Sequence, residues 1–185
     1  MINKPFPDKK YQIIYADPPW DYCFGKTSNR RVSNHYDVMD YKDIAKIPVN
    51  TIADDNSVLL IWSTFPKLNE VFTVIESWGF VYKTGLFTWI KKNKKSDSLF
   101  WGMGNYTRSN AEICLLAVKG KLLPRFSHGV HSVIFSHIEK HSKKPDEARK
   151  RIIELFGNSV SRIELFARQK VEGWDCWGNE IVEGG

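Results

Sequence analysis

An α/β domain with a mainly parallel sheet flanked by helices is the fold this sequence predicts, and two observations predict it. Short, strongly apolar runs alternate with stretches of helical spacing, and the sharpest polar motif follows directly on the first run, where open α/β sheets carry their ligands. Tyr11-Gln-Ile-Ile-Tyr-Ala16 is β-branched and aromatic and stops at Asp17-Pro18-Pro19, so it reads as a buried strand ending in a turn. Residues 57–63 form a second unbroken apolar run. The spacing of Leu68, Val71, Phe72, Ile75 and Trp78 then predicts a helix over 66–78, closed by Gly79. Residues 80–90 and 111–118 read as strands on either side of a polar, glycine-bearing loop, and 131–137 as a shorter strand. A last helix is expected over 145–156, with Pro145 as its first residue. Asp146 and Glu147 sit where its dipole favours negative charge, and Gly157 where a left-handed residue ends it. One more apolar run, 161–168, precedes a tail that ends in Gly173-Trp-Asp-Cys-Trp-Gly-Asn-Glu180.

Composition limits what such a domain can be. With 185 residues, no internal repeat and no break in composition, residues 1–185 read as a single domain. A content of 42% hydrophobic and 14% aromatic residues excludes disordered and low-complexity classes. No run approaches the roughly 18 apolar residues of a membrane-spanning helix, and the start of the chain carries no apolar signal core. Cys23, Cys114 and Cys176 lie far apart with no C-x-x-C pair, which argues against a disulfide scaffold or zinc ribbon and for a reducing, intracellular setting. The net charge of +6 suits a polyanionic partner such as nucleic acid without singling one out.

Asp17-Pro18-Pro19-Trp20 carries the most chemistry. Adjacent prolines alone are expected about 0.5 times in a chain of this length, so position and flanks give the motif its weight. The residues suit a strand-terminating turn with Trp20 packed on the core. They also suit work on a nucleobase amino group, whose lone pair is delocalised into the ring. Two acceptors on its two N–H bonds can hold that nitrogen part-way to tetrahedral. The Asp17 carboxylate and the Pro18 carbonyl can be those acceptors, with the prolines fixing the carbonyl and Trp20 stacking on an extruded base. The nitrogen becomes strongly acidic only once its new bond forms, so no dedicated base is needed. Asp17 can meanwhile favour a cationic sulfonium.

These residues, and the blocks that follow them, resemble the DPPW family of S-adenosylmethionine-dependent N(6)-adenine methyltransferases. That group is named after the seventy-kilodalton S-adenosylmethionine-binding subunit of eukaryotic mRNA methyltransferase. Asn105-Tyr-Thr-Arg-Ser-Asn110 with Glu112-Ile-Cys-Leu-Leu116, His141-Ser-Lys-Lys-Pro-Asp-Glu147, Ile163-Glu-Leu-Phe-Ala-Arg168 and the tryptophan-rich tail look like its blocks in its order. The Thr-Arg-Ser-Asn wording is similar to bacterial and phage members. The resemblance implies a Rossmann-like sheet in circularly permuted order, with S-adenosylmethionine as cofactor. It implies Asp17, Pro18, Pro19 and Trp20 as the target-adenine site, with Ser142 and Lys144 near the methionine end of the cofactor and Arg168, Asn179 and Glu180 around its ribose. The resemblance further implies a cytoplasmic enzyme of a bacterial or phage-infected cell acting on nucleic acid, DNA in preference to RNA. Arg108, Asn110 and Glu112 are candidate substrate-side residues by their place on the polar loop that follows residue 90. Only 16 residues precede Asp17, so the adenine end of the cofactor site is expected to be thin, or completed by a second copy or a partner subunit.

Two further patterns are weaker. Trp89-Ile-Lys-Lys-Asn-Lys-Lys95, with Phe100, Trp101 and Tyr106 beyond and Arg30-Arg31 elsewhere, mixes cations with flat rings as nucleic-acid grooves do. His128-x-x-His131 and His137-x-x-x-His141 lack a cysteine or carboxylate at ligand spacing, so no metal is expected. Methylation of RNA, a catalytically silent nucleic-acid-binding subunit and a small-molecule methyltransferase are the competing readings.

Overall fold

The computed structural model describes residues 4–21, 38–139, 143–179 and 181. Ser142 and Glu180 lie outside the described residues, as do Cys23, Arg30, Arg31 and His141. The described elements are, in chain order, β1 (Tyr11–Ala16), α1 (Tyr41–Ala45), β2 (Ala53–Ser63), α2 (Leu68–Ser77), β3 (Val81–Lys92), β4 (Ala111–Lys119), β5 (Val133–His137), α3 (Asp146–Phe156), β6 (Arg162–Leu165) and β7 (Asp175–Trp177). The strands form one seven-stranded sheet in the order β5-β3-β4-β2-β1-β6-β7. Pairing is parallel for β1 with β2, β1 with β6, β3 with β5 and β6 with β7, and antiparallel for β4 with both β2 and β3. Six strands therefore run one way and β4 alone runs back, which agrees with the mainly parallel sheet expected.

The continuous apolar runs sit where both sheet faces are covered. Ile14, Ala16, Leu59 and Ile61 pack on one face against Ile44 of α1 and Val71, Val74 and Ile75 of α2. Ile13, Tyr15, Leu60 and Trp62 face the other way, against Ala148 and Ile152 of α3. Alternate residues of the same strands thus feed two cores, and helices flank both faces of the sheet.

Element boundaries moved for local reasons. The start of the helix expected over 66–78 is a 3-10 turn, Phe65–Lys67, ahead of α2. Pro145, expected as the first helical residue, has ψ of 133° and stands outside α3, which begins at Asp146. Gly157 takes φ of +85° and its N–H bonds to the Ile153 carbonyl, as a helix-ending glycine should. The last apolar run yields only the short β6, because Phe166 turns the chain with φ of +58°.

α3 is fastened to the sheet by charge. Arg149 donates from Nε and Nη2 to the two carboxylate oxygens of Glu164 on β6, at 2.7 and 2.8 Å, and both residues are buried. Without Glu164, Arg149 keeps the half-exposed Asp146, 2.6 Å from its Nη1, as its carboxylate partner. Glu164→Ala is therefore expected to lower unfolding free energy by about 1.5–3 kcal/mol in chemical denaturation, with a smaller loss when both residues are replaced by apolar ones.

Candidate active site

Every strand but β4 ends on one edge of the sheet, and β4 begins there, so the chain's polar motifs meet along that edge. Asp17 follows the last residue of β1 directly. Neither Pro18 nor Pro19 has an N–H, so the turn cannot continue the ladder. The Pro18 carbonyl accepts the Trp20 N–H at 2.9 Å, and the Pro19 carbonyl accepts the Met39 N–H at 2.8 Å. A carbonyl has two lone pairs, so Pro18 keeps one for another donor.

Trp20 is placed differently from a free stacking ring. It is 4% exposed, its indole N–H donates to the Trp62 carbonyl at 3.0 Å, and it belongs to the core beneath the site. Burying the indole satisfies its one polar atom and leaves the residue as a wall of the cavity rather than a platform reaching out of it.

Four charged side chains alternate in sign across the site. The Lys144 ammonium, just ahead of α3, lies 2.7 Å from Asp17 Oδ1 and 3.1 Å from Glu112 Oε2. The other oxygen of Glu112 is bound by Lys91 near the end of β3. Each carboxylate is thus in contact with a cation, and Glu112 with two. Trp62 and Trp89 back the two ammonium groups, with ring centroids 5.8 Å from Lys144 Nζ and 5.0 Å from Lys91 Nζ.

This arrangement separates the acids. Burial pushes both carboxyls up, but Lys144 and Lys91 together more than reverse it for Glu112, which is held below the usual range. Asp17 feels burial most strongly, is only partly relieved by Lys144, and is opposed by the charge of Glu112, so its carboxyl stands above the ordinary value. Lys144 is buried as well, yet its two carboxylate partners hold it firmly protonated.

Around this cluster is a cavity of about 340 Å³. Asp17, Pro18, Pro19, Trp20, Glu112, Lys144 and Arg168 all line it, so seven of the residues singled out in the sequence converge. Other candidates do not. Arg108 is exposed and lays its guanidinium 3.9 Å from the centroid of the Trp101 ring. Asn110 meets Lys91 through its backbone carbonyl, 2.8 Å from the Lys91 nitrogen. Asn179 is exposed beyond β7, on the same edge as Arg168 but not among the lining residues.

The lining also holds Trp62 and Thr64, which sequence reasoning passed over, and Trp89, Lys91 and Phe100 of the basic, aromatic stretch. Lys91 stood only as one cation in a basic run, although its spacing of two from Trp89 put both on one face of a strand. Among the described residues no group of three or more His, Cys, Asp or Glu could hold a metal ion, and no helix is long and apolar enough to cross a membrane.

Residues 11–180 match the MT-A70 family. The chain is 35% identical over 195 residues to the Type II methyltransferase M.MunI of a Mycoplasma species, spanning 96% of this chain and 80% of that one. It is 27% identical over 177 residues to human METTL3, an N(6)-adenosine-methyltransferase catalytic subunit, and 29% identical over 189 residues to human METTL4, an N(6)-adenine-specific methyltransferase. These alignments cover 93% and 95% of this chain but only 28% and 38% of the human proteins. A match running from the first strand to the end of the tail, with the Asp-Pro-Pro-Trp turn inside the cavity, means that the chain belongs to the MT-A70 family and is a methyltransferase.

Proposed function

We propose that the chain transfers a methyl group from S-adenosylmethionine to the N(6) amino group of adenine in DNA. The observation that carries this reading is the joint presence, in one cavity, of the Asp17 carboxylate and the rigid Pro18 carbonyl, with Lys144 2.7 Å from Asp17. When bound, S-adenosylmethionine supplies a methyl group on a cationic sulfur. The residues fit such a ligand. The cavity volume lies within the range of small-molecule sites, and Lys144 has three N–H donors, of which Asp17 and Glu112 use two. The third can meet a carboxylate, Asp17 complements the positive sulfur, and Arg168 offers donors to ribose hydroxyls, with Ser142, Asn179 and Glu180 as further candidates at the two ends.

Toward the base, Asp17 accepts one N–H of the amino group, and the remaining lone pair of Pro18 accepts the other. These bonds draw the nitrogen lone pair out of the ring and aim it. Glu112, also pinned by Lys91, shares the Lys144 ammonium with Asp17, at 3.1 Å against 2.7 Å. The proton leaves after the new bond forms, when the nitrogen is cationic and Asp17 is the nearest acceptor.

DNA is preferred to RNA because the likeness to M.MunI is greater, in identity and in length covered, than the likeness to METTL3. The protein is read as cytoplasmic, with a second copy or partner subunit completing the cofactor's adenine end. A silent subunit has no need of a carboxylate held in this environment.

The test is methyl transfer from labelled S-adenosylmethionine to matched single-stranded DNA, duplex DNA and RNA, with digestion to nucleosides. N(6)-methyldeoxyadenosine is the expected product, and its yield should fall steeply as salt is raised. Methylation of RNA alone would move the substrate, and no product on any polymer would overturn the reading.

A further inference from the structure

The loop between β3 and β4 is more than a connection. Its inner half is tied down, since Asn93 bonds through its side chain to Ser98 Oγ and Leu99 O, and His137 Nδ1 lies 2.7 Å from the Asn93 carbonyl. Its outer half folds back on itself. The Ser109 N–H bonds to the Gly102 carbonyl at 3.2 Å, and the two limbs approach so closely that a Cβ on Gly102 would strike the Ser109 carbonyl and one on Gly104 the Thr107 carbonyl. Only glycine permits that approach.

The result is a narrow finger with Tyr106 at its tip, fully exposed, and Met103 80% exposed beside it. Trp101 is 69% exposed and carries the Arg108 guanidinium on its face, which stiffens the limbs and presents a cation. Lys94 and Lys95 are exposed on the same loop. Both limbs are rooted on one residue. The Lys91 N–H donates to Asn110 O and the Lys91 carbonyl accepts the Phe100 N–H, each at 2.8 Å, while the Lys91 side chain holds Glu112 inside the cavity. The finger therefore rises from the rim of the site.

Resting on the reading of the chain as a DNA adenine methyltransferase, we propose that this finger opens the duplex, Tyr106 entering the base stack beside the target and filling the space the extruded adenine leaves. A base inside a duplex cannot reach Asp17, because the amino group lies in the stack and the carboxylate at a cavity edge. Something must compensate the lost stacking, and a flat ring at the end of a rigid, cation-flanked projection can do so. Arg108, Lys94 and Lys95, all exposed on the same loop, set cations beside the exposed rings, the pairing that suits a phosphate-lined groove.

The experiment places 2-aminopurine at the target adenine of a duplex and reads its fluorescence on binding, then measures methylation of the normal duplex and its single strand by wild type and Tyr106→Ala. Wild type should brighten the probe. The Tyr106→Ala variant should lose the brightening and show a duplex-to-single-strand rate ratio lower by about tenfold or more. Tyr106→Trp should restore the ratio, as should an abasic site opposite the target adenine for the alanine variant. An unchanged ratio, an equal loss on both substrates, or a change of oligomeric state in sedimentation with Tyr106→Ala would overturn the proposal, the last by assigning the tip to a protein contact. Wild-type failure on every DNA substrate would instead overturn the methylation reading, and the finger's role with it.

Discussion

Asp17→Asn is expected to reduce methyl transfer to adenine by on the order of 10²–10³-fold while leaving the protein folded. The substitution keeps the shape of the side chain and removes its charge. An amide in this position can turn its NH₂ toward the incoming amino group, so a donor faces a donor, and the positive sulfur of the methyl donor loses its complement. Lys144 still has Glu112 at 3.1 Å and is not stranded.

Stability should move the other way. Burial raises the Asp17 carboxyl above its ordinary value, so the folded chain binds this proton more tightly than the unfolded chain does. A group of that kind contributes stability at pH below its unfolded value, and the contribution is lost as pH rises through the folded one. At neutral pH the ionised Asp17 is therefore a liability to folding, and Asp17→Asn should melt no lower than wild type. Single-turnover rates and thermal melts of the same preparation check both halves. A variant that melts lower and methylates normally would contradict both.

Lys144→Met is expected to give the second large effect, on the order of 10–100-fold loss at neutral pH with partial recovery as pH rises. Lys144 is the cation between Asp17 and Glu112. Without it, two part-buried carboxylates face each other, and Glu112 retains Lys91 while Asp17 loses its contact with an ammonium. Asp17 then takes the proton, and the protonated acid no longer complements a sulfonium. The acid limb of kcat/KM is expected to report the Asp17 carboxyl, which burial raises, and to shift further upward in the variant. Lys144→Arg keeps the charge and should restore most of the limb's position even where it lowers the plateau. An unshifted limb in Lys144→Met would mean that Asp17 ionisation does not control the rate.

Much of this molecule is legible in its residues. β1 and the middle of β2 are continuous apolar runs because both faces are covered, and that pattern is hard to mistake. α3 announces both ends, through acidic residues at the start and Gly157 at the finish. Short elements were not legible. α1 spans five residues and β7 three, too few for periodicity to register, and β7 exists because β6 offers it an edge. The direction of β4 was hidden too, since alternation of residues marks a strand but not its sense. Within the site, Asp17 and Lys144 were marked by motif. Their contact with Glu112 depends on β4 running backwards, so that a residue at a strand's beginning reaches an edge where others end. Trp20 illustrates an opposite limit, because a tryptophan beside a site can be platform or wall, and only the neighbouring Trp62 carbonyl decides.

The rooting of both finger limbs on the Lys91 backbone has a wider consequence. Length and composition beyond Phe100 and Asn110 can change without shifting Lys91, Glu112 or the acid at the end of β1. If the finger opens the duplex as proposed, that step and methyl transfer meet at the Lys91 backbone. New tips can then be grafted onto an unaltered chemical centre.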